Sequence, residues 1–197
     1  KKTLKSLYAP TTQSIEFVEV PEMTYLMLDS SGDPRDEENF QAVVSTLYTV
    51  AYAIKFALKA HGIDFVVMPT EGLWWVEDLS KLDFDDRTNW LWTMMIVQPD
   101  GVTPEIFDTA VAAVRKKKNP ARLDEVRLVR YAEGRAAQVL YIGAYADELP
   151  TIARLHEEIE AQGYVPTLKH HEIYLSDPRK TAPEKLKTVI RQPVTKK

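Results

Sequence analysis

Residues 90–97, Trp-Leu-Trp-Thr-Met-Met-Ile-Val, form an alternating stretch whose two faces are both apolar. Successive side chains of a strand point to opposite faces, so a stretch that is apolar on both is typical of a central strand. Residues 72–76, Gly-Leu-Trp-Trp-Val, predict a second strand, and the polar residues 77–89 predict the hairpin loop that joins the two. These strands predict a sheet at the centre of the fold.

Two helices lie before and after these strands in the sequence. Apolar residues recur at helical spacing over 40–58, Asp36 is placed as the N-cap, and Gly62 is placed as a left-handed C-terminal residue. Residues 103–118 predict the other helix, with Thr103 as its N-cap.

The order strand, strand, helix, strand, strand occurs twice along the chain. The first repeat spans 15–98, the helix at 103–118 links the two, and the second repeat spans 122–193. Within residues 1–197 we therefore expect a single α+β domain, built as a tandem pseudo-two-fold repeat of strand–helix–strand–strand units. Antiparallel sheets would carry helices on one face, and a central ligand groove would lie on the pseudo-axis.

Shorter segments complete the two repeats. Residues 14–20 and 24–28 predict a β-hairpin or a bent strand, and residues 65–68 predict a buried strand. Residues 126–131 and 136–142 predict a hairpin around a glycine. The second repeat then continues with a helix and two strands, at 148–161, 170–175 and 186–190.

The composition excludes several classes of protein. The 197 residues contain no Cys, which excludes a disulfide framework, a Cys zinc site and a thiol nucleophile. Lys and Arg number 25 against 29 Asp and Glu, and the net charge of −4 argues against nucleic acid as the main partner. No apolar run of membrane-spanning length and no secretory signal are recognisable, and residues 1–13 predict a frayed leader. We expect a cytoplasmic globular protein without a membrane partner.

The aromatic residues concentrate in one region. All four Trp residues lie between positions 74 and 92, and Tyr48, Tyr52 and Phe56 form a stripe along the long helix. Core packing is the ordinary explanation for such residues. The functional alternative is an aromatic-walled cleft for a flat ligand, because Trp74 and Trp75 point to opposite faces of a strand and cannot both enter one core. The side chains predicted to line this cleft are Tyr52, Trp74, Trp75 and Trp92.

A carboxylate interrupts the apolar alternation of the strand at 170–175. Glu172 shares one face with His170 and Tyr174, and its ordinary explanation is a solvated side chain. If it faces the cleft, it can pair with a ligand cation, assisted by neighbouring aromatic rings. Alternatively, desolvation raises its proton affinity and it acts as a general base.

Adjacent histidines and missing motifs argue against bound metals and cofactors. His170 and His171 point to opposite faces of the strand, so they cannot easily share one ion. The sequence contains no phosphate-binding loop and no Gly-x-Gly-x-x-Gly fingerprint. We therefore expect neither a metal nor a cofactor.

Several strings of residues resemble one known family. Residues 170–178 (His-His-Glu-Ile-Tyr-Leu-Ser-Asp-Pro) and 186–194 (Leu-Lys-Thr-Val-Ile-Arg-Gln-Pro-Val) resemble the C-terminal signature of the GyrI-like small-molecule-binding family. Residues 72–75 and 141–145, the latter followed by the acidic pair 147–148, also match its pattern. The resemblance covers nearly the whole chain, and the chain is similar to stand-alone members of the family.

The resemblance implies a binding function. Members of the family bind flat, amphipathic and often cationic aromatic compounds in a groove between tandem units, and a Glu of the C-terminal strand projects into it. That residue matches Glu172, with Tyr141, Tyr145 and Tyr174 expected to give polar contacts. We therefore expect multidrug-type binding that sequesters lipophilic cations and confers drug resistance, without a stable protein partner.

An enzymatic alternative uses the same pocket. Some stand-alone members resemble hydrolases that open the cyclopropane rings of DNA-alkylating compounds by adding water. Glu172 would then act on the water and the hydroxyl of Tyr141 on the leaving oxygen. Two weaker alternatives, also implied by the resemblance, are interaction with DNA gyrase and haem binding through His156 or His171.

Overall fold

A computed structural model describes residues 6–197, apart from the side chain of Leu79. Part of the predicted leader therefore lies outside the described residues, while residues 6–8 are helical. In chain order the strands and helices are β1 (Glu16–Val20), β2 (Met23–Ser31), α1 (Glu37–Ala60), β3 (Glu71–Trp75), β4 (Leu91–Gln98), α2 (Pro104–Lys117), β5 (Arg127–Tyr131), β6 (Gly134–Ile142), α3 (Leu149–Ala161), β7 (Tyr164–Pro166), β8 (His170–Tyr174) and β9 (Lys187–Lys196).

The chain divides into two compact units. We call Met23–Tyr131 the central unit, and Lys1–Glu22 together with Ala132–Lys197 the terminal unit. The central unit therefore contains β2 to β5 with α1 and α2, and the terminal unit contains β1 and β6 to β9 with α3.

The sheet of the central unit is antiparallel, with the strand order β3-β4-β2-β5. Strand β4 is a central strand, as its two apolar faces predict, because it pairs with β3 on one side and β2 on the other. Trp74 lies opposite Trp92 in the β3–β4 hairpin, which confirms the predicted pairing of the tryptophan-containing strands. Helix α1 packs on β2 and β4, and α2 packs on α1.

The terminal unit repeats this topology. Its antiparallel sheet has the order β8-β9-β6-β1, and the short β7 pairs with the far end of β9. Helix α3 packs on β6 and β7. The order β2-α1-β3-β4 in one unit and β6-α3-β8-β9 in the other confirms the tandem strand–helix–strand–strand repeat. The core between α3 and the sheet consists of Ala137, Val139, Leu155, Ile159, Ile190 and Val194.

The edge strands are exchanged between the repeats, and both predicted hairpins are wrong. Strand β1 pairs with β6, although β2 follows it in the chain, and β5 pairs with β2, although β6 follows it. A two-residue hairpin turn needs positive φ angles, for which glycine or asparagine is suited. The connection Pro21-Glu22 contains neither residue, and Pro21 is restricted to negative φ. In the second predicted hairpin, Gly134 is not part of a turn but the first residue of β6, with φ +68°.

Residues 65–68 do not form the predicted buried strand. This segment has no regular structure, and Val66 is 79% exposed. The amino group of Lys55 donates to the carbonyl of Phe65 and also lies 2.9 Å from a carboxylate oxygen of Asp64. A carbonyl that a sheet would use is thus bound to the last turns of α1.

The helix ends agree with the sequence prediction. Asp36 accepts a hydrogen bond from the Asn39 amide at 3.3 Å, Thr103 caps α2, and Gly62 has φ +82°.

Helix α1 is long and apolar enough to cross a membrane by length and composition alone. One such helix is weak evidence for a span, because core helices of globular proteins pass the same test. The buried residues of α1 are Val43, Thr46, Leu47, Val50, Ala51, Ile54 and Leu58.

Candidate functional site

Glu172 lies in the middle of β8, which pairs with β9. It pairs in register with Ile190, and strand alternation places it on one face with His170 and Tyr174. Its side chain is only 11% exposed. One carboxylate oxygen lies 3.2 Å from Nε2 of His170, and the other accepts a hydrogen bond of 2.8 Å from the hydroxyl of Tyr174. Glu172 is therefore a buried, hydrogen-bonded carboxylate and not a solvated one.

Two residues from the segment before α3 complete this cluster. Glu148, the residue immediately before α3, is one of the groups that lower the pKa of Glu172. The ring of Tyr145 meets the ring of Tyr174 edge-on, with centroids 5.7 Å apart and planes at 84°. We call His170, Glu172, Tyr174, Tyr145 and Glu148 the carboxyl–tyrosine cluster. It lies entirely within the terminal unit.

The surroundings of Glu172 favour its charged form. Burial alone would raise the pKa of Glu172, but the hydrogen bond and charge of His170 and the hydrogen bonds of Tyr174 and Glu148 lower it below its usual range. This direction is opposite to the raised proton affinity that desolvation alone predicts. The cluster thus offers a fixed negative charge at neutral pH.

The two tyrosines of the cluster keep their protons. Burial, followed by the charges of Glu172 and Glu148, raises the pKa of Tyr145 to about 12. The same causes raise the pKa of Tyr174 well above its ordinary value. Both hydroxyls are therefore hydrogen-bond donors, and that of Tyr174 already donates to Glu172.

The third predicted tyrosine has a different partner. The hydroxyl of Tyr141 donates to the carbonyl of Ala144 at 2.8 Å. Burial and the charges of Asp147 and Glu148 raise the pKa of Tyr141. Gly143 allows this arrangement, because a Cβ atom there would lie 2.3 Å from the Tyr141 hydroxyl. The hydroxyl bonded to Glu172 is thus that of Tyr174, and the role predicted for Tyr141 stays a prediction.

Trp92 has the placement of a core residue in the central unit. Its side chain is fully buried, and its indole nitrogen donates to the carbonyl of Gly32 at 3.1 Å. Its ring centroid lies 5.7 Å from that of Phe40 and 5.9 Å from that of Trp74. This environment agrees with the core-packing alternative, and the ligand contact predicted for Trp92 stays a prediction.

The other aromatic residues predicted for the cleft are more accessible. Tyr52 is 46% exposed on α1 and stacks between Tyr48 and Phe56, with centroid distances of 6.3 and 6.2 Å. Trp74 and Trp75 are half-buried on β3. Their predicted contact with a ligand, and the groove in which it would occur, stay predictions.

A model of the GyrI-like small-molecule-binding domain matches residues 13–195. The chain belongs to the GyrI-like family. This confirms the resemblance, and with it a domain that binds small molecules. A search of curated protein sequences finds no match.

Solved structures include similar proteins of nearly the same length. An uncharacterized conserved protein from Listeria innocua is 44% identical, with a TM-score of 0.91 over 99% of this chain and 98% of its own. A protein from Listeria innocua described as a hydrolase is 42% identical, with a TM-score of 0.86 over the same shares. The C-terminal domain of EcmrR is 14% identical, with a TM-score of 0.59 over 93% of this chain and 98% of that domain, and shows the shared fold alone.

A second polar cluster of this GyrI-like chain was not predicted. On the opposite face of β8, Nδ1 of His171 lies 2.8 Å from Glu133, and Nη1 of Arg191 donates to Glu133 at 3.0 Å. Arg191 also donates to Gln138 at 3.1 Å and to the carbonyl of Leu7 at 2.6 Å. All three charged or ionisable side chains are at most 1% exposed. Burial alone would raise the pKa of Glu133, but His171 and Arg191 lower it to about 2.

The sequence feature that could have predicted this buried network is an arginine at the end of an apolar strand. Arg191 directly follows residues predicted as a strand, and a charged residue in such a place is buried only with a partner. Nδ1 of His171 belongs to this network through its bond to Glu133.

Over residues 6–197, no group of at least three His, Asp or Glu side chains is arranged to hold a metal ion.

Proposed function

We propose that this chain binds flat, amphipathic aromatic cations, with Glu172 as the charge complement. The observation that carries the proposal is the buried carboxylate of Glu172, held in its charged form by His170 and Tyr174. A buried charge is costly unless a partner of opposite charge accompanies it. A lipophilic cation would add a partner of opposite charge to the hydrogen-bond partners His170 and Tyr174, and it enters a buried site readily because it is only weakly hydrated.

The tyrosine rings support the same ligand class. Aromatic rings attract cations through their faces and stack with flat ligands. Tyr145 and Tyr174 are in edge-on contact next to the carboxylate, and Tyr145 is 36% exposed. Their hydroxyls also suit the polar end of an amphipathic compound. Sequestration of toxic cations in the cytoplasm would be the cellular consequence.

A dye titration tests this proposal. A fluorescent planar cation is titrated into the protein and into Glu172→Gln, which removes the charge and keeps the shape. We expect the dissociation constant of the variant to rise about tenfold to hundredfold. Glu157→Gln is the matched control, because Glu157 is exposed on α3 and its substitution changes the net charge equally. Unchanged affinity in Glu172→Gln would contradict the proposal.

We propose ring-opening hydrolysis as the second candidate function. Proton donors next to a carboxylate favour it, and the Tyr174 hydroxyl lies 2.8 Å from Glu172. A relative from Listeria innocua that is 42% identical is described as a hydrolase. Water would add to a cyclopropane carbon under the direction of Glu172, and the carbon–carbon bond would break toward a conjugated carbonyl. The oxygen then takes up a proton, so that the product is the substrate plus one water.

Product analysis separates the two candidates. The protein is incubated with an excess of a cyclopropane-bearing alkylating compound, and the hydrated ring-opened product is counted per protein molecule. Hydrolysis predicts many turnovers in the protein and far fewer in Glu172→Gln. Product that never exceeds one equivalent would leave binding as the function.

A further inference from the structure

We infer that Thr188 is a specificity-determining residue of the proposed site, and that its hydroxyl binds an amino or hydroxyl group of the aromatic cation held by Glu172. The inference rests on the proposed function, because it adds a second recognition point for the same ligand. The site should therefore prefer aromatic cations that carry a hydrogen-bonding substituent over cations that lack one.

Strand pairing places Thr188 beside the carboxyl–tyrosine cluster. Thr188 of β9 lies directly opposite Tyr174 of β8 on one side and Tyr141 of β6 on the other. Residues paired in this way project to one face of a sheet, and Ile190, two positions further along β9, pairs with Glu172. Thr188 and Glu172 are thus diagonal neighbours on one face, and such neighbours typically lie about 7–8 Å apart. The length of a fused-ring aromatic cation is comparable to this distance.

The hydroxyl of Thr188 is a buried polar group without a partner. Thr188 is fully buried, and its Oγ1 atom forms no hydrogen bond with any of the residues that the structure describes. Buried hydroxyls in folded proteins are nearly always hydrogen-bonded, because an unpaired one costs free energy. Valine has nearly the same shape without that cost. The hydroxyl therefore lowers the stability of the free protein, and a role in binding accounts for its presence.

Both tyrosines that flank Thr188 contact the segment before α3. The hydroxyl of Tyr141 donates to the carbonyl of Ala144 at 2.8 Å, and the ring of Tyr174 meets that of Tyr145 edge-on at 5.7 Å. Tyr145 is 36% exposed, so its ring can turn outward without leaving a packed core. Such a turn would give a ligand access to the row of side chains that contains Thr188, which is closed to solvent in the free protein.

The chemistry around Thr188 defines the substituent that it can bind. The hydroxyls of Tyr145 and Tyr174 keep their protons, because the pKa of each is strongly raised, and that of Tyr174 donates to Glu172. The hydroxyl of Thr188 can accept a hydrogen bond as well as donate one. An aromatic amine donates to its oxygen, and an aromatic hydroxyl can do either. A methyl group of similar size can do neither and leaves the Thr188 hydroxyl unpaired.

Thermal unfolding of Thr188→Val tests the unpaired hydroxyl. We expect the unfolding temperature to rise by about 2–4 °C, because the variant keeps the shape and loses the buried polar group. Thr93→Val on β4 is the matched control, because Thr93 is also buried but donates to Asp29 at 2.7 Å. The control should unfold at a lower temperature. An unchanged or lower unfolding temperature in Thr188→Val would overturn the inference, since the hydroxyl would then already have a partner, such as an ordered water, in the free protein.

Titration with matched cations tests the selectivity. The isomers of amino-N-methylacridinium carry the amine at different ring positions, and each has a methyl analogue of nearly the same shape and the same charge. We expect at least one amino isomer to bind the protein about tenfold more tightly than its methyl analogue. Thr188→Val should bind the two compounds about equally, and its affinity for the methyl analogue should stay within about threefold of that of the protein.

The outcomes separate this inference from the proposed function. Equal affinity of the protein for every amino isomer and its methyl analogue would overturn the inference while leaving the cation site intact. A preference for the amine that persists in Thr188→Val would also overturn it, because another group would then bind the amine. Failure of all these cations to bind would overturn the proposed function, and the inference with it.

Discussion

The hydroxyl of Tyr174 donates a hydrogen bond of 2.8 Å to the carboxylate of Glu172, two residues earlier on the same strand. Side chains separated by two positions point to the same face of a strand, so β8 itself brings the two groups together. The hydroxyl stabilises the carboxylate, and the carboxylate keeps the proton on the hydroxyl. This pair links the backbone geometry of β8 to the charge of the site.

Tyr174→Phe should move the pH at which cation binding is lost. In the proposed site the carboxylate of Glu172 attracts a cation only when ionised, so affinity should fall as pH decreases through its lowered pKa. Loss of the hydroxyl raises that pKa, and the midpoint should move up by about one to two pH units. Fluorescence titration of a permanently charged dye over a pH series measures this midpoint. Tyr164→Phe, on β7 in the same unit, is the control, and equal midpoints in both variants would be incompatible with the role of Tyr174.

Arg191→Met should strongly destabilise the terminal unit. The substitution leaves the buried carboxylate of Glu133 without its 3.0 Å partner. Removal of one member of a buried ion pair typically costs about 3–5 kcal/mol. Urea unfolding monitored by circular dichroism gives the change in free energy. Arg35→Met, which removes a 60% exposed side chain, should leave the free energy of unfolding nearly unchanged. Equal losses in the two variants would argue against the buried network.

Glu133 should make stability depend on pH in acid. Its pKa is lowered from 4.5 to about 2 in the folded protein, so its contribution is fully present above pH 4.5 and is lost as pH falls toward 2. In Glu133→Gln the free energy of unfolding should fall less steeply over this interval, by up to about 1.4 kcal/mol per pH unit. Unfolding curves at several pH values measure both slopes. Parallel slopes for the two proteins would show that Glu133 does not titrate in this way.

Gly143→Ala should disturb the position of Tyr141. The added methyl group would lie 2.3 Å from the hydroxyl and 2.7 Å from Cζ of that residue, so the ring must move and lose its bond to Ala144. Overpacking of this kind costs about 1–3 kcal/mol. Thermal unfolding compares this variant with Gly101→Ala, where φ is +104° and no atom lies within 4 Å of the added methyl. Wild-type stability in Gly143→Ala would exclude the close packing described for Tyr141.

Local patterns predicted those parts of the fold that depend on neighbours in sequence. The two apolar faces of β4 predicted its central position in the sheet, and Asp36 and Thr103 predicted where α1 and α2 begin. The partners of β1 and β5 could not be derived in this way, because each pairs with a strand that is not adjacent in sequence. Strand pairing is a competition among distant segments, and the turn residues Pro21-Glu22 and Gly134 predicted hairpins that do not form.

The same distinction holds for the candidate site. Two-residue spacing on one strand predicted that Glu172, His170 and Tyr174 share a face. Glu148 precedes a different element, and only the packing of α3 brings its carboxyl group to Glu172. Alternation also predicted which face of the strand carries Trp92, but it could not predict what covers that face. In the structure the ring of Trp92 is fully buried. Spacing therefore predicts residues on one element, and tertiary packing decides which elements meet.

The central claim is that the charge of Glu172 selects cations, and a matched pair of ligands tests it most directly. N-methylacridinium and 9-methylacridine have nearly the same shape, and in mildly alkaline buffer only the former is charged. Their dissociation constants are measured by fluorescence for the protein and for Glu172→Gln. The protein should prefer the cation by about tenfold to hundredfold, and the variant should lose most of that preference while the affinity for the neutral compound changes by less than about threefold. An equal preference for the cation in both proteins would contradict the account.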